Sequence, residues 1–148
     1  MTRQFVEILI TVVTAVEAGL LLFIAEVVQK LMNELEPERF RWFLGRLEFH
    51  AMRSPTALAG SLLTTVACIP YFILFGFGNG WFTAGIVLWL AGAVGSKLFN
   101  TPIYRRVAAL GDTDTVELGE QRRRLGVANL FRSLTTLAAV VLMLVGLA

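Results

Sequence analysis

One cysteine and one histidine are all that the 148 residues contain of either type. A lone Cys68 excludes an intrachain disulfide, and a single thiol and a single imidazole cannot assemble a structural zinc site or bis-histidine haem ligation. No metal is therefore expected. Charge is scarce as well: 16% of residues are Asp, Glu, Lys or Arg against 56% hydrophobic, with a mean hydropathy of +0.70. A soluble domain of this size cannot be built from so little charge. The chain lacks G-x-G-x-x-G, G-x-x-x-x-G-K-[ST] and G-x-S-x-G, which leaves dinucleotide, P-loop and nucleophile-elbow chemistry without their motifs. There is no internal repeat and no low-complexity tract. The first apolar segment carries Glu7 and Glu17 and lacks a small-residue cleavage site, so a removable signal peptide is not expected.

What the chain does have is long apolar sequence. A bilayer core takes about 20 mostly apolar residues per helix, and four segments meet that length: Phe5 to Leu31, Pro55 to Phe77, Trp81 to Asn100 and Val127 to Ala148. The expected fold is all-α, a single integral membrane four-helix bundle over residues 1–148. Between the second and third segments, "GFGNG" permits positive φ and a tight reversal, which predicts an antiparallel hairpin. The connection after the first span, "EPERFRWFLGRLEFHAMRSP", begins with a proline suited to a first helical turn. It repeats Phe40, Phe43, Leu44 and Leu47 at helical spacing, which predicts an amphipathic helix at the membrane surface or continuing into span two. In "GDTDTVELGEQRRR", Asp114 and Glu117 have capping-box spacing and predict that the fourth helix starts well before the apolar run.

Cytoplasmic loops carry the excess of Lys and Arg. Loops one and three hold Lys30, Arg39, Arg41, Arg46, Arg53, Arg105, Arg106 and Arg122 to Arg124, whereas Arg3 alone lies on the side of the N-terminus and the second loop. This places both termini on the non-cytoplasmic side and the amphipathic helix on the cytoplasmic side of an integral membrane protein, expected in a bacterial inner membrane. The net charge of +2 has the same origin, so the bilayer, and no nucleic acid, is the expected partner.

That topology puts unusual polar residues of every span near one membrane face. They are Glu26 and Lys30 in the first, His50 and Arg53 at the start of the second, Lys97, Asn100 and Tyr104 at the end of the third, and Asn129, Arg132 and Thr136 in the fourth. The outer half reads as nearly all Leu, Val, Ile, Phe and Ala. Ionisable groups inside spans are costly and face a bundle interior or a cavity, so this cluster is the candidate site. Arg132 is expected to have an acidic or carbonyl partner, with Glu26 the first choice. Glu17 lies mid-span near the opposite helix face, either protonated or paired within the bundle. Gly85, Gly92 and Ser96 form a small-residue stripe suited to close helix packing.

The motifs "PTALAG" opening span two, "FNTPIYRRVA" closing span three and "NLFRS" opening span four, with the small-residue first span, resemble the anthrone oxygenase-like family of small four-helix membrane proteins. The family pattern N-x-P-[IL]-N is kept at Asn100, Pro102 and Ile103, with Tyr104 in place of the second asparagine. Its Trp, Asn and Arg at spacings of four and three are met by Asn129 and Arg132, with Leu125 replacing the tryptophan. The resemblance implies oxygen addition to an anthrone-like phenol without metal or flavin. His50 would then take the proton, with Arg132, Asn100 and Asn129 stabilising the oxyanion and Tyr104, Glu26 and Arg53 at the substrate's edge. The competing expectation is a non-catalytic membrane subunit, or a lipid- or quinone-binding protein, whose polar cluster is structural. In the first case the partner is a hydrophobic aromatic ligand; in the second, a lipid, another copy of the chain or a membrane subunit.

Overall fold

The computed structural model describes residues 2–111 and 113–148, apart from the side chains of residues 56–61 and 63. Most of the "PTALAG" motif, from Thr56 onward, thus lies outside the described side chains. Five helices and no strand occur among the described residues: α1 (Arg3–Glu34), α2 (Pro37–Ala51), α3 (Pro55–Phe75), α4 (Gly80–Ala109) and α5 (Thr115–Leu147). Three of them, α1, α4 and α5, are long and apolar enough to cross a membrane, while α3 contributes a shorter apolar stretch, Thr64–Phe75.

The ends of the helices follow from local chemistry. Pro37 occupies the first turn of α2, where its missing N–H costs nothing. Residues Met52 to Ser54 separate that helix from α3, so α2 is an element of its own and does not lengthen the second apolar segment. Gly76 has φ +63° and turns the chain out of α3. Asn79 then caps α4 by accepting the Phe82 N–H at 3.2 Å. Helix α5 starts at Thr115, as its spacing predicts, but no capping box forms. The Asp114 carboxylate instead accepts the Gly111 N–H at 2.8 Å, and Glu117 accepts from Arg106 at 3.2 Å and Gln121 at 3.0 Å.

Within α1 the segment Ile24–Val28 is a π turn. Such a widened turn re-aims the helix beyond it, and here Gln29 and Met32 point inward while Glu26 is exposed.

Helix α5 packs along α4 and against α1, and α3 packs on α1. Two apolar clusters result. One, at the end shared by the termini, joins Val6, Ile10, Tyr71, Phe82, Ile86, Trp89, Ala139 and Met143 with Cys68, a free thiol. The other joins Met32, Phe40, Leu44, Ile103, Val107, Leu118 and Leu125, so α2 is held by Phe40 and Leu44. Its other positions leave Glu38, Arg39, Arg46 and Glu48 exposed, which makes α2 amphipathic, with Trp42 and Phe49 exposed among them.

The small-residue stripe sets the α4–α5 approach. A Cβ at Gly85 would lie 2.8 Å from the Ala139 carbonyl oxygen and 2.7 Å from Met143 Cγ. Backbone cannot yield as a side-chain tip can. Gly85→Ala is therefore expected to lower stability in detergent by about 1–3 kcal/mol, despite alanine's better helix propensity. Gly19→Ala, where nothing lies within 4 Å, should cost nothing; chemical unfolding of both variants in one micelle checks the contrast.

Candidate functional site

The inward stripe of α1 carries more polarity than the span's composition suggests: Glu7, Thr11 and Thr14 are buried beside Val6, Ile10, Ala18 and Leu21. Thr11 and Thr14 donate to the carbonyls of Glu7 and Ile10, each at 2.8 Å, so both hydroxyls are satisfied within the helix.

Glu7 is the acceptor of a clasp at the end where the chain termini meet. Tyr71 donates its hydroxyl to Glu7 Oε1 at 2.7 Å, Arg3 donates Nε at 2.9 Å, and Asn79 donates Nδ2 at 3.3 Å. The Asn79 amide also reaches the Gly146 carbonyl at 2.8 Å, tying the start of α1, the end of α3, the α3–α4 turn and the end of α5 together. The expectation for this half, nearly all Leu, Val, Ile, Phe and Ala, did not single out this clasp. The signal was present in Arg3 and Glu7 at i, i+4 and in Thr11 and Thr14 continuing their stripe.

Deeper in the bundle, Glu17 accepts the Trp89 indole N–H at 2.9 Å and Arg132 Nη2 at 3.3 Å. Arg132 thus has an acidic partner, but it is Glu17 and not Glu26. Counting about 1.5 Å per residue from the level shared by Glu7 and Gly146 puts Arg132 roughly midway in depth between the two glutamates. Rotation decides: Glu17 faces α5, whereas Glu26 points out of the bundle and, like Lys30, is exposed. Among the described residues Glu26 and Lys30 form no ion pair.

A third polar layer joins α1 to the first half of α5. Asn129 donates to Gln29 Oε1 at 3.2 Å, and Gln29 donates to Asn33 Oδ1 at 3.1 Å. Arg122 donates to the Asn33 carbonyl at 3.0 Å and lays its guanidinium 4.6 Å from the Phe40 ring centre. Arg122 therefore braces α2 against α5 as well as carrying positive charge.

The remaining predicted residues share no hydrogen bond with these layers among the described residues. Asn100 is buried on α4 and donates to Ser96 Oγ at 3.3 Å, with its Oδ1 unpartnered. Tyr104 is half-buried against the second apolar cluster. His50 and Arg53 are exposed at the end of α2. The Arg53 guanidinium sits 3.7 Å from the Phe49 ring centre, and His50 meets the same ring edge-on at 5.3 Å. His50 lines a shallow outward depression with Trp42, Phe43, Arg46 and Leu47. The expectation of one pocket holding His50, Asn100, Asn129 and Arg132, with Tyr104 and Glu26 at its edge, is corrected for His50 and Glu26, which are exposed. Asn129 and Arg132 face inward with separate partners, while His50 belongs to a helix whose inward positions are filled by Phe40 and Leu44.

A larger concavity of about 960 Å³ lies between α4 and α5 toward their connecting loop. Leu98, Phe99, Pro102 and Ile103 form its α4 wall, and Val127, Ala128 and Phe131 its α5 wall. Pro102 has no N–H to offer the Leu98 carbonyl one turn earlier. Phe99 and Phe131 meet edge-on at 6.3 Å at the deep end, whereas Arg106, Glu117, Gln121, Arg123 and Arg124 line the loop end. Along the chain Arg106 and Arg122 to Arg124 read as orientation signals, and the groove exists only through the pairing of α4 and α5. Comparison with family models, with curated proteins and with solved structures gives no match for this chain.

Proposed function

We propose that this chain is a four-helix integral membrane protein, with α3 as the fourth span, that holds an amphiphile in the α4–α5 groove without catalysing a reaction. The observation that carries the reading is the groove's division into an apolar deep end and a charged loop end. A volume of about 960 Å³ stands at the upper end of the range for small-molecule pockets, and an amphiphile is the ligand class that has the same division. The large apolar side chains exposed along α1, among them Phe5, Leu9, Val12, Val16 and Leu20, suit a surface facing lipid. The loop arginines favour placing the groove's charged end at the cytoplasmic face of a bacterial inner membrane, with both termini on the other side.

Of the two functions drawn from the sequence, the geometry favours the non-catalytic one. Oxygenation of an anthrone-like phenol asks for a base beside an enclosed aromatic-sized cavity. His50 is exposed and lines a different depression, and Arg132 is engaged by Glu17.

Photolabelling with an alkyl-diazirine phospholipid tests the reading. Label is expected to concentrate on residues 98–103 and 127–131 above the level on the outward face of α1 around Val16. Val127→Trp, at an exposed position lining the groove, should reduce groove label several-fold and leave α1 label unchanged. Equal labelling of the groove and α1, insensitive to that substitution, would remove the reading.

A further inference from the structure

We propose that the occupant of the groove is an anionic diacyl phospholipid, its headgroup phosphate on Arg123 and its chains running toward Phe99 and Phe131. This rests on the reading of the groove as an amphiphile site and adds the sign of the headgroup and the leaflet that supplies it.

The dimension comes first. From Glu117 to Phe131 the α5 wall rises through fourteen residue steps, about 21 Å at the helical rise. Half of a bilayer with its headgroup region is about 20–22 Å. The groove is as long as one leaflet, with its charged end where headgroups lie and its Phe99–Phe131 contact where chains end. A soluble ligand would have no use for that depth.

Charge supplies the second step. Three guanidinium groups, Arg106, Arg123 and Arg124, line the groove against one carboxylate, Glu117. Two of the three are matched, Arg106 by Glu117 at 3.2 Å and Arg124 by Glu120. Arg123 is exposed and forms no ion pair among the described residues. An unmatched guanidinium above an apolar groove recognises a phosphate whose own charge is not cancelled by an ammonium on the same headgroup. It also gives the bidentate geometry that phosphate oxygens accept. A zwitterionic lipid fits the apolar walls equally well but brings a cation to a rim already in positive excess.

Full-length protein in phosphatidylcholine nanodiscs carrying traces of diazirine-tailed phosphatidylglycerol or diazirine-tailed phosphatidylcholine provides the test. The anionic lipid is expected to label residues 98–103 and 127–131 about fivefold more than the neutral one, the preference one arginine near a membrane surface confers. Arg123→Gln should bring the ratio close to unity, Arg123→Lys should retain most of it, and Arg105→Gln, outside the groove, should leave it near the wild-type value. Arg123 makes no contact whose loss would unfold the chain, and circular dichroism of each variant verifies that. Equal labelling by both lipids overturns the anionic-lipid site and leaves the amphiphile reading standing. Failure of either lipid to label the groove above the α1 surface overturns both. Suppression by soluble glycerol phosphate would assign the rim to a free anion and likewise overturn the lipid site.

Discussion

Arg132→Leu is expected to destabilise the folded protein by about 3 kcal/mol, because it leaves the partly buried Glu17 carboxylate without its cation. Among the described residues Glu17 accepts from two side chains, Arg132 at 3.3 Å and the Trp89 indole at 2.9 Å, and the indole alone cannot balance a negative charge in a low-dielectric interior. The effect should be largely reversed in the double variant Glu17→Leu with Arg132→Leu, since replacing both members of a buried pair by apolar groups is often neutral or better. A double-mutant cycle from unfolding curves in detergent measures that coupling. Additive losses would show that the pair is not joined as described. Trp89→Phe should cost less, about 1 kcal/mol, as it removes one neutral donor and keeps the aromatic packing.

Glu7→Leu is expected to cost more, about 3–5 kcal/mol, because three donors depend on one carboxylate oxygen. Arg3 keeps partial exposure and Asn79 keeps the Gly146 carbonyl, but the Tyr71 side chain is fully buried. Its hydroxyl has no acceptor other than Glu7 among the described residues. Tyr71→Phe removes that need and should cost about 1.5–3 kcal/mol, the value of a hydrogen bond to a charged group. In Glu7→Gln an acceptor oxygen survives and the Arg3 ion pair does not, so its stability should fall between wild type and Glu7→Leu. Unfolding midpoints of the three variants give the order. If Glu7→Leu were as stable as wild type, the clasp would contribute nothing to holding the four chain segments together.

The two glutamates show where reading the sequence stopped. Glu17 stood out as a carboxylate at mid-span, and its distance in sequence from Glu26 correctly separated their faces. The assignment of Arg132 to Glu26 followed depth, which does not discriminate between the two. The π turn at Ile24–Val28 rotates the end of α1, and no residue pattern in "IAEVV" announces it. Glu7 sits in a stretch whose majority of residues is apolar, whereas burial is decided position by position along a stripe. His50 was placed with the span that follows it, yet the break at Met52 to Ser54 assigns it to α2 and turns it outward.

Local chemistry is what the sequence determined by itself. Apolar length specified helices over α1, α4 and α5, Pro37 began α2, a glycine-rich turn with Gly76 at φ +63° reversed the chain before α4, and the spacing of Gly85 and Gly92 marked the face that approaches α5. Each of these depends on a residue and its near neighbours along one helix. Which carboxylate meets Arg132, which donors gather on Glu7, and that Leu98, Arg106, Arg123 and Phe131 border one groove are relations between helices. They depend on rotation and axial offset, which only the packing of whole helix faces against one another can decide.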